Sequence, residues 1–329
     1  MTKDRRMTRE ELLVTEAAWE DDVAAAQSAW HTPRAALDAI ITRVAGARPR
    51  ATERLHSGQS NETYLCRVGE KRLIARIGRE SVAHFERERW AIEMARAHGV
   101  PTPEVLLVAE EELDGEIVSF CVERYLPGLS LGKLARQRGR EDALVARAVR
   151  HAGVLLGAIH EVRTNGFGAL QAGGTAPLPD WPAFLAERFG PLPADAPPEV
   201  TRALAVLASH DPLLRATDPR LLHFDFEPSH LLVDERTGEI SGVIDLEEAK
   251  SGDPAYEFAQ WDVIHDAYAP VAQLVLGYTE RAKITPEFEL RRLLSEIHFR
   301  ARELAHASVP SVLIPAARQR LTRALNALD

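Results

Sequence analysis

The feature that most limits how this chain can fold is a short β unit set into a helical stretch. Leu221-Leu222 runs into a polar loop, Leu231-Leu232-Val233 follows, Arg236-Thr237-Gly238 turns the chain, and Ile240–Ile244 brings it back. Before it, Leu144, Val145, Ala148, Val149, Ala152, Leu155, Leu156 and Ile159 recur at the spacing of a long buried helix. After it, helices are expected near Ala255, Pro270, Pro286 and Pro315, the last three with proline at a first turn. The hairpin returns Asp245 towards Asp225 in the preceding loop, so two carboxylates from distant parts of the sequence share one place.

The first third of the chain has a different texture. Thr63–Val68 and Arg72–Ile77 are β-prone runs joined at Gly69-Glu70, which predicts a hairpin. A helix through Phe85, Ile92 and Ala95 stops at Gly99 and Pro101. Strands follow near Val105–Val108 and Ile117–Val122, separated by an acidic turn over Glu110–Gly115. Further upstream, residues 8–45 read as two helices, one opened by the capping box Thr8-Arg9-Glu10-Glu11 and one by Thr32 as cap with Pro33 in the first turn. Residues 172–198, rich in Gly, Pro and Ala, suggest an irregular insertion around a short helix at Trp181–Phe189. The expected division is a helical extension over 1–48, a small β-rich lobe over 49–127 and a larger helical lobe over 128–329, an α+β chain.

Composition narrows the functions. In 329 residues, 40 Lys and Arg stand against 49 Asp and Glu, a formal charge of −9. With no basic stripe, that balance disfavours nucleic acid and mildly favours cationic ligands. No run is apolar enough for a membrane span and no secretory signal is recognisable, so a cytoplasmic protein is expected. Cys66 and Cys121 stand alone in apolar segments, as buried reduced thiols do.

Chemistry concentrates in His223-Phe224-Asp225-Phe226-Glu227-Pro228-Ser229-His230 and in Asp245. An Asp on an interstrand loop, a metal-capable side chain five residues on and a second Asp after a hairpin form the pattern that phosphoryl transfer uses: one carboxylate orients the attacking hydroxyl, the others hold Mg²⁺ on a triphosphate. The ordered set Leu222–Asp234, Gly242-Val243-Ile244-Asp245 and Gly252-Asp253-Pro254-Ala255-Tyr256-Glu257 resembles the aminoglycoside phosphotransferase family, whose fold is protein-kinase-like with two lobes. The family's loop reads His-Gly-Asp-x-x-x-x-Asn and its metal strand Ile-Asp-Trp or Ile-Asp-Phe; this chain departs from them at Phe224, His230 and Leu246.

The resemblance spans roughly residues 50–300 and implies roles in order along the chain. Ser57, Ser60 and Asn61 fall in the loop that covers the nucleotide phosphates. Arg76 takes the place of the phosphate-contacting lysine, with Glu88 as its ion-pair partner and Glu86 as the competing position; otherwise Arg76 is an exposed strand charge. Glu123 and Tyr125 lie in the interlobe linker, whose backbone would read the purine edge. Asp225 is the base, His230 and Asp245 the metal ligands, and His223 a structural support. Asp253 reads as a local anchor, and Tyr256 and Trp261 as core. Glu247, Glu248 and Glu257 are placed near the mouth of the inferred cleft, either to meet substrate ammonium groups or as ordinary surface carboxylates. Histidine at the position of His230 also occurs in the aminoglycoside 2″- and macrolide phosphotransferase branches, which leaves GTP open beside ATP as donor. The implied activity is Mg²⁺-dependent phosphorylation of an antibiotic hydroxyl, aminoglycoside or macrolide, by a monomer or homodimer.

Three other readings remain: a kinase of another small alcohol, a metallohydrolase using His223, Asp225 and His230, and a silent kinase-like binding protein. Against the hydrolase, His151, His160, His210 and His265 appear singly, without ligand spacing.

Overall fold

The computed structural model describes residues 31–55, 61–79, 81–306 and 314–328. The helix expected from Thr8 and the loop residues Ser57 and Ser60 lie outside the described residues. The chain enters through helix α1 (Arg34–Ala45) and then forms β1 (Ala51–Leu55), β2 (Glu62–Val68) and β3 (Lys71–Gly78). Helix α2 (Ala83–Ala97) crosses over, and β4 (Val105–Leu113) and β5 (Glu116–Arg124) complete an antiparallel sheet of order β1-β2-β3-β5-β4.

Alternation along these strands sorts the side chains onto two faces. Leu73, Ala75 and Ile77 pair with Arg124, Val122 and Phe120, and join Leu37, Ile40 and Ile41 of α1 in one apolar core. The opposite face carries Ile74 and Arg76 beside Glu123 and Cys121, and it turns towards α2. Both cysteines are buried and unbridged. Two local expectations are corrected. Pro33 holds the N-cap position of α1, while Thr32 gives its N–H and hydroxyl to the buried Glu62 carboxylate, at 3.0 and 2.8 Å, and caps nothing. Glu110 to Leu113 stay in β4, because only Asp114-Gly115, both at positive φ, are needed to reverse the chain.

Beyond residue 128, β6 (Leu129–Ser130) leads into α3 (Leu131–Arg138) and the long α4 (Ala143–Glu161), capped by Asp142, whose carboxylate accepts from Leu144 N at 2.8 Å. Then follow β7 (Gly168–Ala169), α5 (Trp181–Phe189), α6 (Pro198–Ser209), α7 (Asp211–Arg215) and β8 (Arg220–Leu222). Helices α3, α6 and α7 lie outside the helices expected from the sequence. A 3-10 turn at Pro228–His230 opens the hairpin β9 (Leu231–Asp234) and β10 (Glu239–Val243), and β11 (Lys250–Gly252) pairs with β8 and β7. Helices α8 (Ala255–Ile264), α9 (Val271–Tyr278), α10 (Pro286–Ala305) and α11 (Ile314–Asn326) close the fold. Pro270 sits at the N-cap of α9, one place earlier than expected. Trp261 and Tyr256 are core residues, both 1% exposed. Among the described residues no helix is long and apolar enough to cross a membrane.

Candidate active site

The loop after β8 is shaped by its backbone. Phe224 has a φ of 67°, in the left-handed region that non-glycine residues rarely enter. Its ring is the compensation: buried, it stacks on Tyr256 with centroids 5.4 Å apart at 7°, and Arg188 covers it at 4.5 Å. Glu257, on α8, holds the same loop from beneath. Its carboxylate accepts from the backbone N–H of Phe224 at 2.8 Å and of His223 at 3.3 Å, and from His160 Nε2 at 2.6 Å. Glu257 is 3% exposed and both its oxygens are engaged by these three donors, so its expected place among ammonium-binding groups at the cleft mouth is wrong. Glu248 is exposed and pairs with Lys250 at 3.1 Å, beside a polar cavity of about 210 Å³ also lined by His84, Arg87 and Glu247.

The hairpin sets the two aspartates. Leu231 faces Val243 in the β9–β10 register, and one step further out Ile244 N donates to His230 O at 3.0 Å. Asp245 follows at a φ of 66°. His230 lies between the carboxylates, with Nδ1 3.4 Å from Asp225 Oδ2 and Nε2 3.4 Å from Asp245 Oδ2. Because Nδ1 also contacts the Asp225 carbonyl at 3.0 Å, and a carbonyl can only accept, Nδ1 carries a hydrogen and donates it there. Nε2 therefore faces Asp245 and, at 3.7 Å, Glu227. Burial disfavours charge on this ring, yet Asp245, Glu227 and Asp225 outweigh it and raise its pKa. Burial raises the Asp225 carboxyl and pushes Glu227 up to about 7, in both cases against the pull of His230.

His223 is committed elsewhere: its Nε2 donates to Ile244 O at 3.0 Å, tying the loop to the hairpin's far strand. The set His223, Asp225 and His230 therefore does not converge as a hydrolase metal triad. Asp253 is the anchor expected, buried and accepting from Ala255 N at 3.1 Å and Arg291 Nε at 2.9 Å.

Above the hairpin, Arg76 is no exposed strand charge. It is 8% exposed, and its guanidinium meets Glu88 at 2.5 Å, Glu123 at 3.3 Å, Asp245 at 3.5 Å and Glu247 at 2.5 Å. Glu86 is exposed, which settles the partner as Glu88. Four carboxylates around one cation leave an excess of negative charge. Burial, resisted by Arg76 and reinforced by Glu123 and Asp245, accordingly pushes Glu88 up to about 8. Glu123, expected to contribute only backbone in the linker, also brings its carboxylate to Arg76. A signal existed, since Glu123 is a lone charge on the Arg76 face of a strand whose preceding residues, Val118 to Val122, are buried. Tyr125 lies under Arg72, 4.2 Å from guanidinium carbon to ring. Asn61 donates to Glu247 Oε2 at 2.8 Å, so Glu247 too is drawn into the interlobe cluster.

A divalent cation suits this chemistry. Asp245 and Glu227 offer oxygens and His230 Nε2 a nitrogen, in a region of excess negative charge. Among the described residues no three such side chains close into a cage, so phosphate oxygens and water would supply most ligands.

A β lobe whose buried Arg–Glu pair overhangs a loop aspartate and a hairpin aspartate is the architecture of a kinase-like phosphotransferase. The chain belongs to the phosphotransferase enzyme family, whose sequence pattern matches residues 51–292. It is 26% identical over 219 residues to hygromycin-B 4-O-kinase of Escherichia coli, a match covering 62% of this chain and 60% of that relative's length. A thermostable mutant of aminoglycoside phosphotransferase APH(4)-Ia, solved in ternary complex with AMP-PNP and hygromycin B, superposes with a TM-score of 0.65 at 20% identity, covering 89% of this chain and 98% of that one. Macrolide 2'-phosphotransferase from Brachybacterium faecium gives 0.56 at 15% identity, with 87% and 97% covered. These likenesses establish the kinase-like fold.

Proposed function

We propose that this protein transfers the γ-phosphoryl group of ATP or GTP, as a magnesium complex, to a hydroxyl of an antibiotic, with an aminoglycoside as first candidate and a macrolide as second. The observation that carries the reading is His230 standing 3.4 Å from both Asp225 and Asp245, beneath the Arg76–Glu88 pair. Asp225 would orient the acceptor hydroxyl and take its proton, a task helped by a pKa raised through burial towards working pH. Arg76, steadied by Glu88 and Glu123, would clamp phosphate oxygens, and its planar fork suits that geometry. Ser57, Ser60 and Asn61 would cover the phosphates, and the backbone from Glu123 to Tyr125 would meet the base. Asp245 and His230 would hold the magnesium ion, which when bound neutralises charge on the transferring group. Nucleotide binding is thus assigned to residues 49–127 and acceptor binding to the helices of 128–329, with Glu248 at the acceptor side.

The aminoglycoside choice draws on the hygromycin kinase relative and on the net charge of −9, which suits a polycationic acceptor. The test is a phosphorylation screen with Mg²⁺-ATP and Mg²⁺-GTP over aminoglycosides, macrolides and amino alcohols, read by product mass. Addition of one phosphoryl group to an aminoglycoside is expected; modification of amino alcohols alone would redirect the reading to another small-alcohol kinase.

A further inference from the structure

Glu247 stands two residues beyond Asp245 and reaches up into the β lobe. Its Oε2 accepts from Arg76 at 2.5 Å and from Asn61 Nδ2 at 2.8 Å, with His84 Nε2 at 3.9 Å. Two N–H donors, Arg76 of β3 and Asn61 just before β2, thus meet on a single carboxylate oxygen, with the His84 ring of α2 outside hydrogen-bond reach. Such convergence of N–H donors on one oxygen is how proteins hold phosphate. Both donors, Arg76 and Asn61, are groups assigned above to the triphosphate. The other Arg76 partners do not compete in this way: Glu88 and Glu123 bind the opposite guanidinium nitrogen, and Asp245 lies at 3.5 Å.

We infer that Glu247 is an internal stand-in for a phosphate group, an anionic latch between the lobes that the nucleotide displaces in order to bind. The inference rests on the nucleotide-binding role proposed above and adds a device that sets apparent affinity. Each of these nitrogens carries a second N–H, so the competition is for place: a phosphate oxygen can take the hydrogens that converge between Asn61 and Arg76 only where Glu247 Oε2 now sits. A latch closed about nine-tenths of the time would weaken nucleotide binding about tenfold, since only the open fraction is competent.

The experiment is calorimetric binding of Mg²⁺-ATP, Mg²⁺-GTP and tripolyphosphate to the full chain, as wild type, Glu247→Gln and Glu247→Ala. The latch requires both variants to bind all three ligands about tenfold more tightly. It also requires the nucleotide KM in turnover assays to fall with the dissociation constant. A brace that merely orients Arg76 gives the opposite sign, so equal or weaker binding by the variants, beside measurable binding by the wild type, overturns the latch alone. Nucleotide binding by none of the three proteins overturns both the latch and the functional reading.

Discussion

Phe224 occupies a backbone conformation that glycine would adopt freely, and two opposed magnitudes decide what replacing it does. Relief of the positive φ is worth about 1–2 kcal/mol. Loss of a ring packed on Tyr256 and under Arg188 costs about 3–5 kcal/mol. Phe224→Gly should therefore destabilise the protein by about 2 kcal/mol, seen as a lower denaturant midpoint at unchanged slope; a gain in stability would mean the ring contributes little. The departure from the family's loop glycine was visible in the sequence, but the aromatic stack that makes it tolerable was not, because Tyr256 and Arg188 are remote in the chain. Glu88 couples the stability of the fold to pH. Its carboxyl, raised from 4.5 to about 8, keeps its proton in the native chain at pH values where the unfolded chain has lost it. Its contribution to stability is thus full below 4.5 and is lost as pH climbs through about 8. Glu88→Gln cannot titrate, so the stability of the variant minus that of wild type should rise across this interval in denaturation series. A flat or falling difference would contradict the assignment.

Elements meet most tightly where α4 and α9 cross. A Cβ on Gly277 would lie 1.7 Å from Arg150 O, and one on Gly153 would lie 2.0 Å from Leu274 O, so the helices touch backbone to backbone. Gly277→Ala should cost about 1–3 kcal/mol by forcing the helices apart, despite alanine's better helix propensity. A thermal melt that rises instead would show the crossing to be compliant. Sequence periodicity made α4 legible, since Val145, Val149, Leu156 and their neighbours mark one face. The short helix expected at Trp181–Phe189, within the Gly-, Pro- and Ala-rich insertion, has those bounds in α5. Helices α6 and α7 escaped because Pro197-Pro198 and Pro212 broke the pattern, although proline at a first turn is itself a helix signal. Partners across elements were the least legible. Glu257 looked like a surface carboxylate, and only the packing of α8 beneath the loop turns it into the acceptor for two backbone N–H groups.

At the scale of the whole molecule, the two lobes are joined electrostatically through Arg76, which touches Glu88 and Glu123 above and Asp245 and Glu247 below. The order of Arg76, Glu88, Asp225, His230 and Asp245 along the chain was enough to read the kinase-like plan, because that plan fixes which segment follows which. The density of carboxylates around Arg76 could not be read, since it depends on β3, β5 and the hairpin end meeting in space. The proposed phosphoryl transfer depends above all on Asp225 as the acceptor-activating group. Its most direct test is single-turnover phosphoryl transfer by wild type and Asp225→Asn on whichever acceptor the screen identifies, with nucleotide affinity measured in parallel. With Asp225 as the base, Asp225→Asn should lose about 10²–10⁴-fold in the transfer rate and retain nucleotide binding. Transfer by Asp225→Asn at the wild-type rate would contradict it.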